Sequence, residues 1–387
     1  LSAIWIKRPL TISIDPESVA PEDRGHMALA IGLGGRNLGQ TWPNPAVGCV
    51  LVGSGGRIVG RGWTARGGRP HAETEALKQA GAAARGATAY VSLEPCSHHG
   101  RTGPCARALI DAGVVRVVVS CADPDPRVAG QGIAMLRKAG VPVVHGLMEA
   151  EGLEANRGFI SRVSKGRPFI ALKLATSIDG RIATKNGESR WITGPLARQY
   201  GHLLRSRHDA VMIGRGTAAT DDPLLTCRLR GLENRSPVRV ICDTHMRIGV
   251  SSAVVATAET TPTWILTAND DSSKQDRLRR SGVEVVSCPP GPGQTLDLQT
   301  GMGILAARGI TRLLVEGGGV LAGSLVRSGL VDRIHAIRAG SVIGGDGISA
   351  IGAFELERLS EMTTFVRREV RSLGPDQLEI WDKIENG

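Results

Sequence analysis

Four residues in the first third of the chain constrain its fold more than any others. His71-Ala-Glu73 is followed by Pro95-Cys96 and then, after an eight-residue interval, by Cys105. One imidazole and two thiols make a nitrogen–sulfur donor set suited to zinc, and three protein ligands leave a tetrahedral ion one open position. A fold that uses them must bring three separate segments to one point. The local pattern allows this. His71 opens a helix predicted through Ala80, Cys96 follows a strand over Ala87–Leu93, and Cys105 sits just inside a helix from Pro104 to Asp111. Proline is well tolerated in a first helical turn. His71 and Glu73 project in different directions at the helix start, so one can ligate while the carboxylate faces a substrate. The helix N-terminus at Cys105 is expected to help lower a thiol pKa.

The other cysteines read differently. Cys49 and Cys121 lie in or beside strands and are expected to pack in the core, while Cys227, Cys242 and Cys288 have no His or Cys close by and are expected to be structural. Seven Cys in 387 residues do not form a disulfide scaffold.

Around the motif, strands alternate with helices, which predicts a mostly parallel sheet with helices on its faces. A helix is expected over His26–Leu38, a hairpin over Val47–Trp63 turning at Gly53–Gly56, a strand over Val114–Ser120, a helix over Gly130–Lys138 and a strand over Val141–Val144. Residues 1–22 read as an extension, 23–150 as a first domain, 151–167 as a polar, basic linker, and 168–387 as a second α/β domain. Two or three domains suit this length at roughly 150 residues each. The sequence contains no internal repeat and no apolar run near the roughly 20 residues that span a bilayer. Leu1–Leu10 carries its charges after a short apolar hexad, unlike a signal peptide, so a cytoplasmic protein is the expectation.

The net charge is +10, carried by 39 Arg and only eight Lys against 37 acids. Arginine forks suit phosphate. The bases are dispersed and aromatics are 3%, so stacking on a nucleic-acid polymer is not expected. Small anionic substrates fit better.

In zinc deaminases a His and two Cys hold the metal, and a nearby Glu, not a ligand, moves protons. Nucleoside and transfer-RNA deaminases usually have two residues between the cysteines. The longer run here, Glu94-Pro-Cys-Ser-His-His-Gly-Arg-Thr-Gly-Pro-Cys105, resembles the deaminase half of the bifunctional riboflavin-biosynthesis deaminase-reductases, as does Pro43-Asn-Pro-Ala-Val-Gly-Cys-Val50. Gly103 stands where that family usually has a second proline. The resemblance implies a cytidine-deaminase-like three-layer domain. In it Asn44, His98 and Arg101 would meet substrate, and His99 lies in the same loop.

The second half resembles the reductase part of the same family through three segments, Lys173–Ala183, Gly187–Thr193 and Gly214–Pro223, and these give context to the Gly-rich strand-to-helix run Leu313-Leu-Val-Glu-Gly-Gly-Gly-Val-Leu-Ala-Gly-Ser324. No Gly-x-Gly-x-x-Gly follows a strand, so a Rossmann site lacks support. A Gly-rich turn into a helix can still hold pyrophosphate on backbone N–H groups. The resemblance implies a dihydrofolate-reductase-like fold and NADPH. It puts Ala175, Trp191, Thr217, Asp221, Thr244 and the turn Gly318, Gly319, Val320, Leu321, Ala322, Gly323, Ser324 against the cofactor. Ser189, Arg205, Leu225, Arg228 and Glu316 fall against substrate, with Arg205 and Arg228 suited to its phosphate. Lys173, Asp221 and Glu316 are the candidates for handling protons.

Small phosphorylated pyrimidines are thus the expected substrates, Zn2+ and NADPH the expected cofactors, and a homo-oligomer the expected assembly. Two other readings stand beside this one. The chain is a deaminase of nucleosides or transfer RNA with a C-terminal binding module, or a zinc-stabilised scaffold without catalysis. Retention of Glu73 argues against the scaffold, because a structural zinc site needs no proton carrier.

Overall fold

A computed structural model describes residues 19–98, 103–126 and 128–384. Most of the expected extension 1–22 lies outside the described residues, as do His99 and Arg101. The chain divides into two compact units between Ser164 and Lys165.

The first unit runs α1 (Asp23–Gly34), β1 (Gly48–Val52), β2 (Ile58–Trp63), α2 (Ala72–Ala80), β3 (Thr88–Val91), α3 (Cys105–Asp111), β4 (Arg116–Val119), α4 (Gln131–Lys138), β5 (Val143–His145), α5 (Glu149–Ala155) and α6 (Arg157–Lys165). Its sheet has the order β2-β1-β3-β4-β5. The hairpin pairs and β1–β3 are antiparallel, whereas β3–β4 and β4–β5 are parallel. Three layers follow from alternation along the strands. Cys49, Leu51, Ala89, Val91, Val117 and Val119 point into one core, with Ala72, Ala76, Ala106 and Leu109 of α2 and α3. Val50, Val52, Tyr90 and Val118 point the other way, onto Met27 and Ala30 of α1. Gly62 in β2 pins α2 to the sheet, since a Cβ there would lie 2.0 Å from the Ala72 carbonyl oxygen. The helix that begins at the metal motif is therefore held at its first turn.

The segment expected as linker, 151–167, is mostly helical in α5 and α6. The residues it buries, Gly152, Asn156, Gly158, Ser161 and Arg167, are small or polar, and Phe159 packs against the first core.

The second unit contains β6 (Phe169–Thr176), β7 (Arg181–Ala183), α7 (Pro195–Ser206), β8 (Ala210–Gly214), α8 (Arg215–Asp221), β9 (Val238–Cys242), α9 (Ala253–Ala256), β10 (Thr263–Thr267), α10 (Ser272–Arg279), β11 (Glu284–Ser287), α11 (Leu298–Ala307), β12 (Arg312–Glu316), α12 (Gly319–Arg327), β13 (Arg333–Arg338), β14 (Ile348–Ser349), β15 (Phe365–Leu373) and β16 (Asp376–Lys383). Nine strands form one sheet in the order β11-β10-β9-β8-β12-β6-β13-β16-β15, and β14-β7 form a separate ribbon. The strands from β11 to β13 are parallel to their neighbours, and β16 and β15 close the sheet antiparallel. The chain enters at β6, moves outward through β8 to β11, and returns with β12 between β8 and β6. Such a switch opens a crevice at the carboxyl ends of the strands, where α/β sheets bind ligands. Lys173, Gly214 and Glu316 all lie at or near those ends. Strand β15 has no apolar alternation to announce it, because residues 366–372 are all exposed. Among the described residues, no helix is long and apolar enough to cross a membrane.

Candidate functional site

In the first unit the three expected ligands converge. His71 is the N-cap of α2, Cys105 is the first residue of α3, and Cys96 lies in the loop after β3. Their donor atoms all lie within 4.8 Å of one another. His71 Nδ1 is 3.7 Å from Cys96 Sγ and 3.3 Å from Cys105 Sγ. Tetrahedral bonding at ordinary zinc–sulfur and zinc–nitrogen lengths sets such donors roughly 3.6 Å apart, so the spacing and the donor chemistry fit zinc.

Cys105 donates its backbone N–H to Cys96 Sγ at 3.3 Å. The helix start therefore acts on Cys96, not on Cys105's own sulfur, which corrects the simplest expectation. Hydrogen bonding from Cys105, with His71 adding to it, pulls the Cys96 thiol down to about 4. Cys105, whose proton is held by Cys96 and which is itself buried, is pushed well up. The first thiolate of the pair is thus ready at neutral pH, as a metal ligand must be. Glu73 is 3% exposed. Burial, then the charge of Cys96, raises its carboxyl to about 7, a value suited to taking and returning a proton.

Asn44, His98, Glu73, His71 and Cys96 line one cleft. Asn44 Nδ2 donates to the Gly68 carbonyl at 3.0 Å, which orients the amide. Nδ1 of His98 is buried and has no hydrogen-bond partner among the described residues. The cleft also contains Arg69, Glu94, Asp123, Asp125 and Phe159, which the motif reading did not single out. The Glu94 carboxylate accepts backbone N–H groups of Asp123, Gly130, Gly132 and Ile133 at 2.9–3.3 Å, fixing the loop that carries Asp123. Burial pushes Asp123 up to about 7. Cys49 and Cys121 are fully buried packing residues, and no disulfide forms among the seven thiols.

In the second unit, Lys173 and Glu316 are register partners on β6 and β12. Arg205 from α7 makes a fork on Glu316, Nε to Oε1 at 2.5 Å and Nη2 to Oε2 at 2.9 Å, and gives Nη1 to the Thr226 carbonyl. The guanidinium expected at a phosphate is engaged with a carboxylate here. Burial pushes Glu316 up, but Arg205 and then Lys173 outweigh it and the carboxyl sits below its usual range. Burial lowers Lys173. His202, not foreseen, joins the cluster through the Thr226 carbonyl. The Arg228 backbone nitrogen lies 3.3 Å from the His202 Nδ1, which meets either this N–H or the Thr226 carbonyl according to its tautomer.

The Gly-rich turn has two causes. Gly317 and Gly318 have φ of 87° and 82°, and a Cβ on Gly318 would lie 2.9 Å from Thr217 Oγ1. The turn thus approaches Thr217 closely and leaves the first N–H groups of α12 at the crevice. Val320 is 82% exposed, whereas the side chains of Leu321 and Ala322 are buried. Gly323 sits against the Gly352 backbone instead of facing the crevice. Any cofactor contact by Leu321, Ala322 and Gly323 must therefore come from backbone. Leu225 likewise has its side chain in the core, with φ of 55°. Trp191 is 68% exposed with the Arg198 guanidinium 4.6 Å above its ring. Arg190 donates to the Asp221 carbonyl, Ser324 Oγ to that of Val320, and Thr267 Oγ1 to that of Thr244. Ser189 and Ala175 are half-buried, in the loop before Trp191 and on β6.

Fold and donor set define a protein with a zinc-centred hydrolytic site in an α/β/α unit and an open-sheet crevice in a second unit. Residues 21–121 match the cytidine and deoxycytidylate deaminase zinc-binding region, and residues 168–377 match the RibD C-terminal domain. The chain is 42% identical to riboflavin biosynthesis protein RibD of Escherichia coli over 92% of this chain and 98% of that one. It is 39% identical to that of Aquifex aeolicus, covering 92% and 96%. The solved structure of Acinetobacter baumannii RibD matches with a TM-score of 0.85 at 36% identity, over 94% of this chain and 99% of that one. A Thermotoga maritima diaminohydroxyphosphoribosylaminopyrimidine deaminase/5-amino-6-(5-phosphoribosylamino)uracil reductase matches at 0.82 and 32%. The chain belongs to the RibD family. It is a bifunctional enzyme of riboflavin biosynthesis, a zinc deaminase joined to a reductase. The transfer-RNA and scaffold readings give way to this one.

Proposed function

We propose that the first site deaminates 2,5-diamino-6-(5-phosphoribosylamino)pyrimidin-4-one and that the second reduces the product's ribosyl group to ribityl with NADPH. The observation that carries the reading is the convergence of His71, Cys96 and Cys105 with buried Glu73 two residues from the imidazole. His71, Cys96 and Cys105 would hold zinc, which when bound would supply a Lewis acid that lowers the pKa of water toward neutral pH. Glu73 accepts a proton from the attacking water and returns it to the departing amine, so ammonia leaves and a carbonyl remains. Asn44, braced by Gly68, presents an amide donor and acceptor to the pyrimidine edge. The family's loop assigns His98 and Arg101 to the substrate's ribose phosphate, and Asp123 and Asp125 in the cleft lining support hydroxyl contacts.

In the crevice, the Gly317–Gly318 turn, Thr217 and the start of α12 suit a cofactor pyrophosphate. Ala175, Trp191, Asp221 and Thr244 complete the cofactor's surroundings. NADPH supplies the hydride. Lys173, Glu316 and Asp221 move the protons of ring opening, Arg205 holds Glu316 ionised, and Ser189, Leu225 and Arg228 border the sugar phosphate. The enzyme works as a homo-oligomer through β15, an edge strand that exposes Val366 and Val370. An antiparallel second copy sets Val366 opposite Val370 and Arg367 opposite Glu369, apolar to apolar and cation to anion. Sedimentation of Val370→Lys against the parent tests this: a smaller species is expected, and an unchanged one refutes the interface.

The test of the two reactions follows ammonia release and NADPH oxidation separately on the pyrimidine phosphate. Chelation is expected to abolish the first signal and to spare the second once deaminated compound is added. Ammonia release that survives complete zinc removal refutes the reading.

A further inference from the structure

The Gly-rich turn that opens α12 rests on another stretch of chain. After β13 the backbone runs Ser341-Val-Ile-Gly-Gly-Asp-Gly-Ile-Ser-Ala350 and reaches Gly352, whose N–H donates to the Gly319 carbonyl at 2.8 Å. The two segments fit closely. A Cβ on Gly319 would lie 2.4 Å from the Ser349 carbonyl oxygen, and one on Gly323 would lie 3.1 Å from the Gly352 nitrogen. Where residues 349–352 lie therefore sets where the first turn of α12 can lie.

That stretch is itself tied to the turn between β6 and β7. Ala339 donates to the Thr176 carbonyl at 2.8 Å, Ile178 to that of Ser341 at 2.8 Å, and Ala350 to that of Gly180 at 3.0 Å. The ribbon pairs Ile348 with Ala183 and Ser349 with Arg181. Between these backbone ties a side chain does the fastening. Asp179 Oδ1 accepts from Ser177 Oγ at 2.6 Å and from the Ile343 N–H at 3.1 Å, and Oδ2 accepts from the Gly344 N–H at 2.7 Å. The Ser177 hydroxyl and then the Gly344 N–H hold this carboxyl down at about 2. It is ionised throughout the neutral range, and bonds to a charged acceptor are the stronger kind. Asp179 is exposed, so it serves no core.

We infer that Asp179 is a positioning residue for the cofactor: by pinning Ile343 and Gly344 it fixes the segment on which the start of α12 rests, and so sets the affinity of the crevice for NADPH. The inference rests on the reading that this turn seats the cofactor pyrophosphate.

The test uses the full-length enzyme and its Asp179→Ala and Asp179→Asn variants. NADPH binding is titrated directly by fluorescence, and reductase turnover is followed with NADPH and the deaminated compound varied in turn. For Asp179→Ala we expect the NADPH dissociation constant and KM to rise roughly 5- to 20-fold, as for loss of bonds to a charged acceptor that solvent also reaches. Both kcat and KM for the deaminated compound should stay within about twofold of the parent. Asn keeps an acceptor oxygen but turns an NH2 group against a backbone N–H, so Asp179→Asn should fall between Asp179→Ala and the parent. Hydrogen exchange over residues 343–352 should quicken in both variants. An NADPH affinity equal to the parent's in Asp179→Ala overturns the inference, as does unchanged exchange. A fall in kcat as large as the loss of affinity overturns it too, because it marks general damage to the unit. Should Asp179→Ala not fold, Asp179→Asn decides alone: weaker NADPH binding with kcat kept is the expected result, and any other refutes the assignment. A parent enzyme that does not bind NADPH removes the cofactor reading and this inference with it, a failure seen before any variant is made.

Discussion

The two units do their chemistry with different materials. In the first, reactive side chains are attached at helix starts and hung over one point: His71 caps α2, Cys105 opens α3, and Glu73 lies in the first turn of α2. In the second, the crevice is shaped by backbone, with a Gly-rich turn between β12 and α12, and its charges are tied into a buried cluster of Arg205, Glu316 and Lys173. In the first site the shifted groups act on one another, Cys105 and His71 on Cys96 and Cys96 on Glu73, within one small cluster of donors. The second depends on charges that also stabilise the sheet. Substitutions should therefore separate function from stability in one unit and not in the other.

The largest effect is expected at Glu73. Glu73→Gln keeps the shape and removes the proton carrier, so ammonia release should fall by roughly 10²- to 10⁴-fold. Zinc content and NADPH oxidation on the deaminated compound should stay at parent levels. Burial already disfavours the charged form of this group, which is raised to about 7, so neutral Gln should not destabilise the unit. A variant that loses ammonia release together with zinc would erase the contrast with the second unit.

A comparable change in the crevice should not separate so cleanly. Glu316→Gln leaves the Arg205 guanidinium, only 14% exposed, without its counter-charge. Breaking one side of a buried pair costs about 3–5 kcal/mol. We expect reduced turnover of the deaminated compound and lower denaturant resistance in the second unit, with ammonia release intact. Single replacement of Lys173, Asp221 or Glu316 that leaves reductase turnover unchanged in all three cases would remove their assignment as proton carriers.

The same difference decides what could be read in the sequence. His, Cys and Glu at fixed spacing have few bland explanations, so the metal centre was legible from four residues. Asp123, Asp125 and Phe159 were not, because a turn acid or an apolar helix residue looks ordinary until Glu94 folds its loop and α6 packs on the core. The run 151–167 reads as a linker because the residues it buries, Gly152, Asn156, Gly158, Ser161 and Arg167, are small or polar and form no apolar stripe. In the crevice, periodicity located β6, β8 and β12, but no pattern states that β12 returns between the other two. Gly317 to Gly323 looked like one phosphate turn. Only coordinates separate the glycines that φ requires from Gly323, which makes room for Gly352.

The smallest effect comes from a carboxylate–arginine fork in the first unit, away from its metal centre. Asp23 accepts from Arg116 Nη1 at 2.9 Å and Nη2 at 2.7 Å, and from Tyr90 Oη at 2.6 Å. Burial raises its pKa, but the bonds to Arg116 and then Tyr90 outweigh it and bring it to about 2. An unfolded Asp titrates near 3.9. The folded state therefore binds fewer protons than the unfolded one in that window. The stabilisation is complete above about pH 4 and is lost as pH falls through about 2. Asp23→Asn should weaken the first unit at pH 6, and the gap between variant and parent should close between pH 4 and 2. Zinc release at acid pH affects both proteins alike and cancels in the difference. Hydrogen exchange at the Tyr90 and Val91 amides reads the unit directly. A gap that stays constant down to pH 2 would mean that the fork acts through packing alone, with no charge to titrate, and the parallel with Arg205 and Glu316 would be lost.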